Sequence, residues 1–172
     1  MKIRFLKDKD AFSYRELRVS SLIESPFAFS DSYYDQKNKT LSDFQLEIKK
    51  KGNPLESFTL GAFSKGKLVG FVKFKRDHRT KARHRASLYS LYVEPTYRGQ
   101  GIAKKLILEL FIKIEYMNEL KQLQLSTIIS KNDLRTFYQS FGFQILGGII
   151  KKDLMIENQY VDAIYMVKHL KK

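Results

Sequence analysis

The 172-residue sequence predicts an α+β fold: one domain over residues 1–172 that combines about seven strands with about four helices. Three observations carry this expectation. Hydrophobic patterning switches between a period of two and a period of three to four, in the order β-α-α-β-β-β-α-β-α-β-β. Two tight-turn signals, Ser64-Lys65-Gly66 and Glu157-Asn158, join consecutive strands with no helix between them. One unit, Leu88 to Leu110, reads as strand, glycine-bearing turn and helix.

Met1 to Leu6 alternates as a first strand. Asp8 or Asp10 is placed to cap a helix whose inner side carries Ala11, Tyr14, Leu17 and Leu22. Glu24 to Tyr34 is aromatic and turn-rich, broken at Pro26, a composition that suits either a pocket lining or packing beneath a loop. Ser42 to Lys51 reads as an amphipathic helix capped by Ser42, with Phe44, Ile48 and Leu41 inward and Gly52-Asn53-Pro54 ending it. Ser57–Phe63 and Lys67–Lys75 form a hairpin. Arg76 to Arg85 is a basic loop, with Arg76, Arg79, Lys81, Arg83 and Arg85 set against Asp77 and no interleaved aromatics for base stacking. It reads as a solvated connection to the next strand, Ala86 to Val93.

Pro95 stops that strand, because a residue without an N–H cannot continue a ladder. Arg98-Gly99-Gln100-Gly101 then leads into a helix with Ala103, Leu106, Ile107, Leu110, Ile114 and Met117 on one stripe. A turn of this kind presents unpaired N–H groups at a helix N-terminus and suits a phosphate. Gly99 and Gly101 let backbone approach a ligand closely. The spacing is not that of a P-loop, and a dinucleotide fingerprint fails because position 104 is Lys104 rather than glycine. Further on, Gln122 to Ile128 alternates as a strand. Asn132 or Asp133 caps a short helix bearing Leu134, Phe137, Tyr138 and Phe141, and Gly142 sits where a C-terminal glycine belongs. Phe143–Ile149 and Tyr160–Val167 close the chain as strands.

Two blocks resemble the GNAT family of N-acetyltransferases. Arg98, Gly101 and Ala103 fill that family's Gln/Arg-x-x-Gly-x-Gly/Ala pattern for acetyl-CoA, and Asn132 through Tyr138 to Gly142-Phe143 is similar to its second motif. Position 135 departs from that motif, being Arg where alanine is usual. The resemblance covers nearly the whole chain. It implies a GNAT-like acyl-CoA N-acyltransferase fold, layered α/β/α around a mixed, mostly antiparallel sheet, and a single N-acetyltransferase domain.

The resemblance also implies roles. Backbone N–H groups of Gly99, Gln100, Gly101, Ile102, Ala103 and Lys104 would hold the pyrophosphate of acetyl-CoA, the cosubstrate, beside Arg98. Backbone groups of Leu91 and Val93 would bind the pantetheine arm, and an N–H near Tyr92 or Val93 would polarise the thioester carbonyl. This last role requires the strand to splay from its neighbour. Asn132 would hydrogen-bond the pantetheine, and Tyr138, the catalytic residue, would protonate or hydrogen-bond the departing sulfur. Tyr138 also lies on the apolar stripe of its helix, where a core tyrosine would sit. The base stays open: Ala86 to Val93 holds no carboxylate, Ser87, Tyr89 or Ser90 can anchor a water, His84 is a further candidate, and Glu24 stands at the substrate-side loop to bind or orient an amine. Glu94 is expected to face solvent.

Composition narrows the remaining classes. A 43% hydrophobic content with 13 Phe and 10 Tyr supplies a packed core. The absence of Cys excludes disulfides, thiolate metal sites and a thiol nucleophile, and His78, His84 and His169 show no ligand spacing, so no metal is expected. No apolar run reaches membrane length and the N-terminus lacks a leader's apolar core, so the expectation is a cytoplasmic enzyme without a membrane partner. The formal charge of +14 favours anionic ligands. The expected acceptor is a small-molecule or peptide amine, and nucleic acid is not expected. Two alternatives remain: a basic module of the same fold docking RNA or an acidic protein without catalysis, and an enzyme using another acyl-CoA. The exposed C-terminal strand leaves a homodimer open.

Overall fold

A computed structural model describes residues 1–49, 51, 56–129 and 134–170. The elements are β1 (Lys2–Phe5), α1 (Ala11–Glu24), α2 (Tyr33–Gln36), α3 (Leu41–Ile48), β2 (Ser57–Ser64), β3 (Lys67–Arg76), β4 (Arg85–Val93), α4 (Ile102–Ile114), β5 (Gln122–Ile128), α5 (Arg135–Gln139), β6 (Gln144–Ile156) and β7 (Gln159–His169). The seven strands form one sheet in the order β1-β2-β3-β4-β5-β7-β6. All neighbours run antiparallel except β4 and β5, whose parallel pairing needs a crossover that α4 supplies. The expected mixed, mostly antiparallel sheet of seven strands is therefore present.

Each face of the sheet carries its own core. Leu106, Ile107, Leu110 and Ile114 of α4 pack on Val72, Phe74, Ala86, Leu88, Leu123 and Leu125, joined by Tyr138 and Phe143. Burying each large aliphatic side chain contributes about 1.5–3 kcal/mol. On the opposite face Ala11, Tyr14, Leu17 and Leu22 of α1 and Phe44 and Ile48 of α3 pack on Leu68, Phe71 and Tyr92. The stripes read from the sequence on α1 and α4 are turned inward, whereas Leu134 at the start of α5 is exposed, and the layering is α/β/α.

Several boundaries differ from expectation for local chemical reasons. The helix assigned to 42–51 starts at Leu41, because Thr40 rather than Ser42 caps it. Thr40 Oγ1 accepts from the Asp43 N–H at 3.2 Å while the Asp43 carboxylate accepts from the Thr40 N–H at 2.8 Å. Leu41 is consequently exposed in the first turn. The residues Gly52-Asn53-Pro54 lie outside the described residues. A fifth helix, α2, uses the same device through Ser32 and Asp35 and is too short to show a period. Asp10 does not cap α1 with its side chain. It accepts from the Lys7 N–H at 2.8 Å and pairs with Arg4 at 2.6 Å.

Arg76 is not a solvated loop residue but the buried end of β3, pairing with Glu119 at 2.7 Å. Glu94 is half-buried and pairs with Lys67 at 2.7 Å, so it does not simply face water. β6 and β7 are longer than expected, since irregularities near Leu146 and Ile150 interrupt the alternation without ending the ladder. The C-terminal strand is not the exposed edge on which the expectation of a homodimer rests: β7 is paired on both sides, by β5 and β6, and the edge is β6, with Leu146, Ile149 and Met155 exposed. Among the described residues no helix is long and apolar enough to cross a membrane, and no group of three His, Asp or Glu gathers as a metal site.

Candidate active site

The two central strands part company. β4 pairs with β5 only over Arg85–Ser87 against Gln122–Gln124. Beyond that point β5 pairs with β7 alone up to Ile128, while β4 continues on β3 up to Val93. The edge of β4 from Leu88 onward, including Leu91, Tyr92 and Val93, is thus turned away from β5. This is the splay that the proposed thioester contacts require. Ser90 marks it with φ +54°, a left-handed residue inside a strand, where β4 slips its register against Phe71 and Lys73. A non-glycine residue in this conformation costs roughly 1–2 kcal/mol, and such strain concentrates at functional sites.

β4 feeds directly into the glycine turn. Gly99 and Gly101 have φ +76° and +72°, the left-handed region that only glycine adopts cheaply. A Cβ built at either would meet nothing within 4 Å, so conformation, not crowding, demands glycine, and the surface above the turn is open. No side chain caps α4, whose first intrahelical bond runs from Lys105 N–H to the Gly101 carbonyl at 3.0 Å. The N–H groups of Ile102, Ala103 and Lys104 precede that bond and have no helical acceptor. Together with the helix dipole they favour an anion. The Ile102 side chain is core, so only its backbone can serve a ligand.

Arg98 plays a different part from its neighbours. Its Nε donates to the Val93 carbonyl at 2.9 Å and its Nη2 pairs with Glu24 at 2.7 Å, while its own N–H goes to Pro95. It ties the end of α1 to the glycine turn. Burial works to raise the Glu24 carboxyl, but hydrogen bonds from Ser25 and Arg98 outweigh it and hold the group below the ordinary range. Glu24 also accepts from the Tyr92 hydroxyl at 3.2 Å, and burial with that nearby charge pushes the Tyr92 phenol up to about 12. Glu24 is therefore a buttress of the turn, engaged by three donors.

Tyr138 is 5% exposed, with its ring against Phe137 and Phe143 at centroid distances of 5.3 and 5.8 Å. Burial pushes its phenol upward, so it is protonated at neutral pH. Asn132 lies outside the described residues. His84 is exposed at the far end of β4, about 23 Å from Leu91 by strand rise, and is no neighbour of the splay.

A second polar group was not singled out by sequence. Lys73 is 6% exposed and forms a short ion pair with Glu47, which also accepts from the Tyr14 hydroxyl at 2.8 Å. Burial works to raise the Glu47 carboxyl, but the Lys73 charge overcomes it and holds the group below its usual value. Beside them Arg18, wholly buried, pairs with Asp31 at 2.6 Å and stacks over Phe29 at 4.4 Å. Tyr89 closes the cluster toward solvent, and burial with the Glu47 and Asp31 charges pushes it up to about 12. The available signal is Lys73 itself, the one charged residue within the otherwise apolar run from Leu68 to Phe74 of β3.

Residues 17–143 match the model of the Acetyltransferase (GNAT) family. The chain belongs to that family. A ribosomal-protein-alanine N-acetyltransferase from Brucella melitensis is similar over 99% of this chain and 100% of its own, at 20% identity and a TM-score of 0.83. An acetyltransferase of the GNAT family from Streptococcus pneumoniae shares 24% identity with a TM-score of 0.82, covering 98% of this chain and 99% of its own. A Salmonella typhimurium protein determined with its cofactor acetyl-CoA shares 18% identity with a TM-score of 0.79, covering 100% and 95%. At these identities the likeness is one of fold. No curated protein matches the chain in sequence. In this GNAT protein the splayed β4 edge leads through the glycine turn into the uncapped start of α4.

Proposed function

We propose that this GNAT protein is an acetyl-CoA-dependent N-acetyltransferase in which a primary amine attacks the thioester directly. The observation that carries the reading is the junction of the splayed β4 edge with the uncapped N-terminus of α4. Family membership and the Salmonella typhimurium neighbour with its acetyl-CoA support the choice of cosubstrate.

Acetyl-CoA supplies an activated acetyl group and a pyrophosphate by which it can be held. Backbone N–H groups from Gly99 to Lys104 bind the pyrophosphate. Leu91 and Val93 offer backbone groups to the pantetheine arm, and the Tyr92–Val93 backbone polarises the carbonyl. One face of β4 and β5 is covered by α4, so the acceptor arrives over the other, where Ser87, Tyr89, Gln124 and Ser126 line an open strip. Tyr89 stays a phenol at neutral pH and so positions a water rather than acting as base. Without a cysteine, the chain has no thiol to carry an acyl-enzyme. Tyr138 donates to the departing sulfur.

Melting temperature with acetyl-CoA, plain CoA and ATP tests the reading. Both CoA species at 100 times their dissociation constant should add about 2.7 kcal/mol, and ATP should add far less. No gain at millimolar acetyl-CoA refutes it. Tyr138→Phe should then lower kcat on the order of 10²-fold, with the acetyl-CoA dissociation constant unchanged. Unaltered turnover assigns Tyr138 to the core alone.

A further inference from the structure

The open strip runs away from the splay toward a cavity of about 420 Å³ at the β3–β4 connection. Lys75, Arg76, Arg79 and Arg85 line it, against the single carboxylate of Asp77, with Ser87 on its wall. The charges are not balanced inside it. Arg76 is engaged by Glu119, at 2.7 Å, and by the Arg83 carbonyl, at 2.5 Å. Arg79 and Arg85 share Asp77 at 2.6 and 3.7 Å, which leaves one carboxylate between two guanidinium groups. Arg85 Nε is buried with no acceptor, and Lys75 is exposed with no ion pair among the described residues. A buried charged donor without an acceptor costs free energy that an anion would recover.

Position gives this surplus a purpose. Lys75 sits opposite Ser87 in the ladder, and Ser87 and Tyr89 lie on the face over which the acceptor arrives. Leu91 lies four positions beyond Ser87, about 13 Å of strand. Resting on the acetyl-transfer reading, the geometry points to an oxyanion subsite here: the acceptor carries a carboxylate or phosphoryl group about 13 Å from its reacting amine, held between Lys75 and Arg85. The cavity volume suits a single such group with its attached chain.

The test compares four hexapeptides with free amino termini, bearing aspartate, asparagine, phosphoserine or serine at the fourth position. Acetyl transfer from acetyl-CoA is followed by thiol release. The acidic member of at least one pair should show kcat/KM at least about tenfold above its neutral counterpart, since one charged hydrogen bond is worth that much. The pair with the larger ratio identifies the oxyanion. Lys75→Gln and Arg85→Gln should each bring that ratio toward one while keeping the thermal gain from acetyl-CoA. Equal turnover of acidic and neutral peptides overturns the subsite, as does a ratio that survives both substitutions. No turnover of any of the four by a chain that acetyl-CoA stabilises also overturns it. If acetyl-CoA gives no stabilisation, the acetyl-transfer reading has failed, and calorimetric titration with inorganic phosphate judges the cavity alone. Phosphate binding lost in both variants then supports the subsite, and binding that is absent or unchanged overturns it.

Discussion

Gly101→Val should remove the stabilisation that acetyl-CoA confers while leaving a folded protein. Gly101 sits at φ +72° immediately before α4. A β-branched residue there is strained by roughly 1–2 kcal/mol, which a domain of ordinary stability survives. The strain relaxes by rotating the turn, and the N–H groups of Ile102 to Lys104 then lose their common aim. Losing about two hydrogen bonds to a charged group weakens binding about a hundredfold. Calorimetric titration of acetyl-CoA into the variant checks this directly. Wild-type affinity in a folded Gly101→Val protein would move the pyrophosphate contact away from the turn.

Glu47→Gln is expected to cost more stability than any other single polar change near the site. Lys73 would then lie at 6% exposure without the carboxylate that offsets its burial. Breaking a buried pair on one side costs about 3–5 kcal/mol, which lowers the melting temperature by about 10 °C in a domain of this size. Replacing both partners, Glu47→Leu with Lys73→Met, should return much of the loss. The pH profile carries the sign. Glu47 titrates lower in the folded chain than in the unfolded one, so its contribution is complete above the unfolded value near 4.3. It disappears as the pH falls through the lower folded value. Wild type should therefore lose stability steeply below about pH 4, and Glu47→Gln should be flatter there. Chemical denaturation at pH 7, 4 and 3 distinguishes the two.

The contrast between these residues explains how far the sequence could be read. Gly99 and Gly101 were legible because a left-handed backbone admits few residue types, and the conformational demand is written in the residue itself. The α4 stripe was legible because a helix repeats its buried face every three to four residues. The Thr40 cap stayed hidden behind Ser42, which is as good a cap by composition, and the reciprocal pairing with Asp43 decides between them. Glu47 and Lys73 stayed hidden because their partnership joins α3 to β3 across 26 positions. Arg98 carries the family's pattern, yet its side chain is spent on Glu24, 74 positions away, which no local spacing announces.

The sheet also sets an order of assembly. β2–β3 and β6–β7 close across two-residue turns, and the β4–α4–β5 crossover is continuous, so these units form by short-range search. β1 pairs with β2 only after α1, α2 and α3 have intervened, a closure of about fifty residues whose entropy must be met before any ladder bond rewards it. The first strand therefore docks late. Until it does, β2 is an open edge, and Phe5 and Phe58, which pack edge to face at 5.2 Å in the finished protein, have not met. A nascent chain exposes its N-terminal strand first and places it among the last, so the β2 edge is where premature pairing with another molecule would begin.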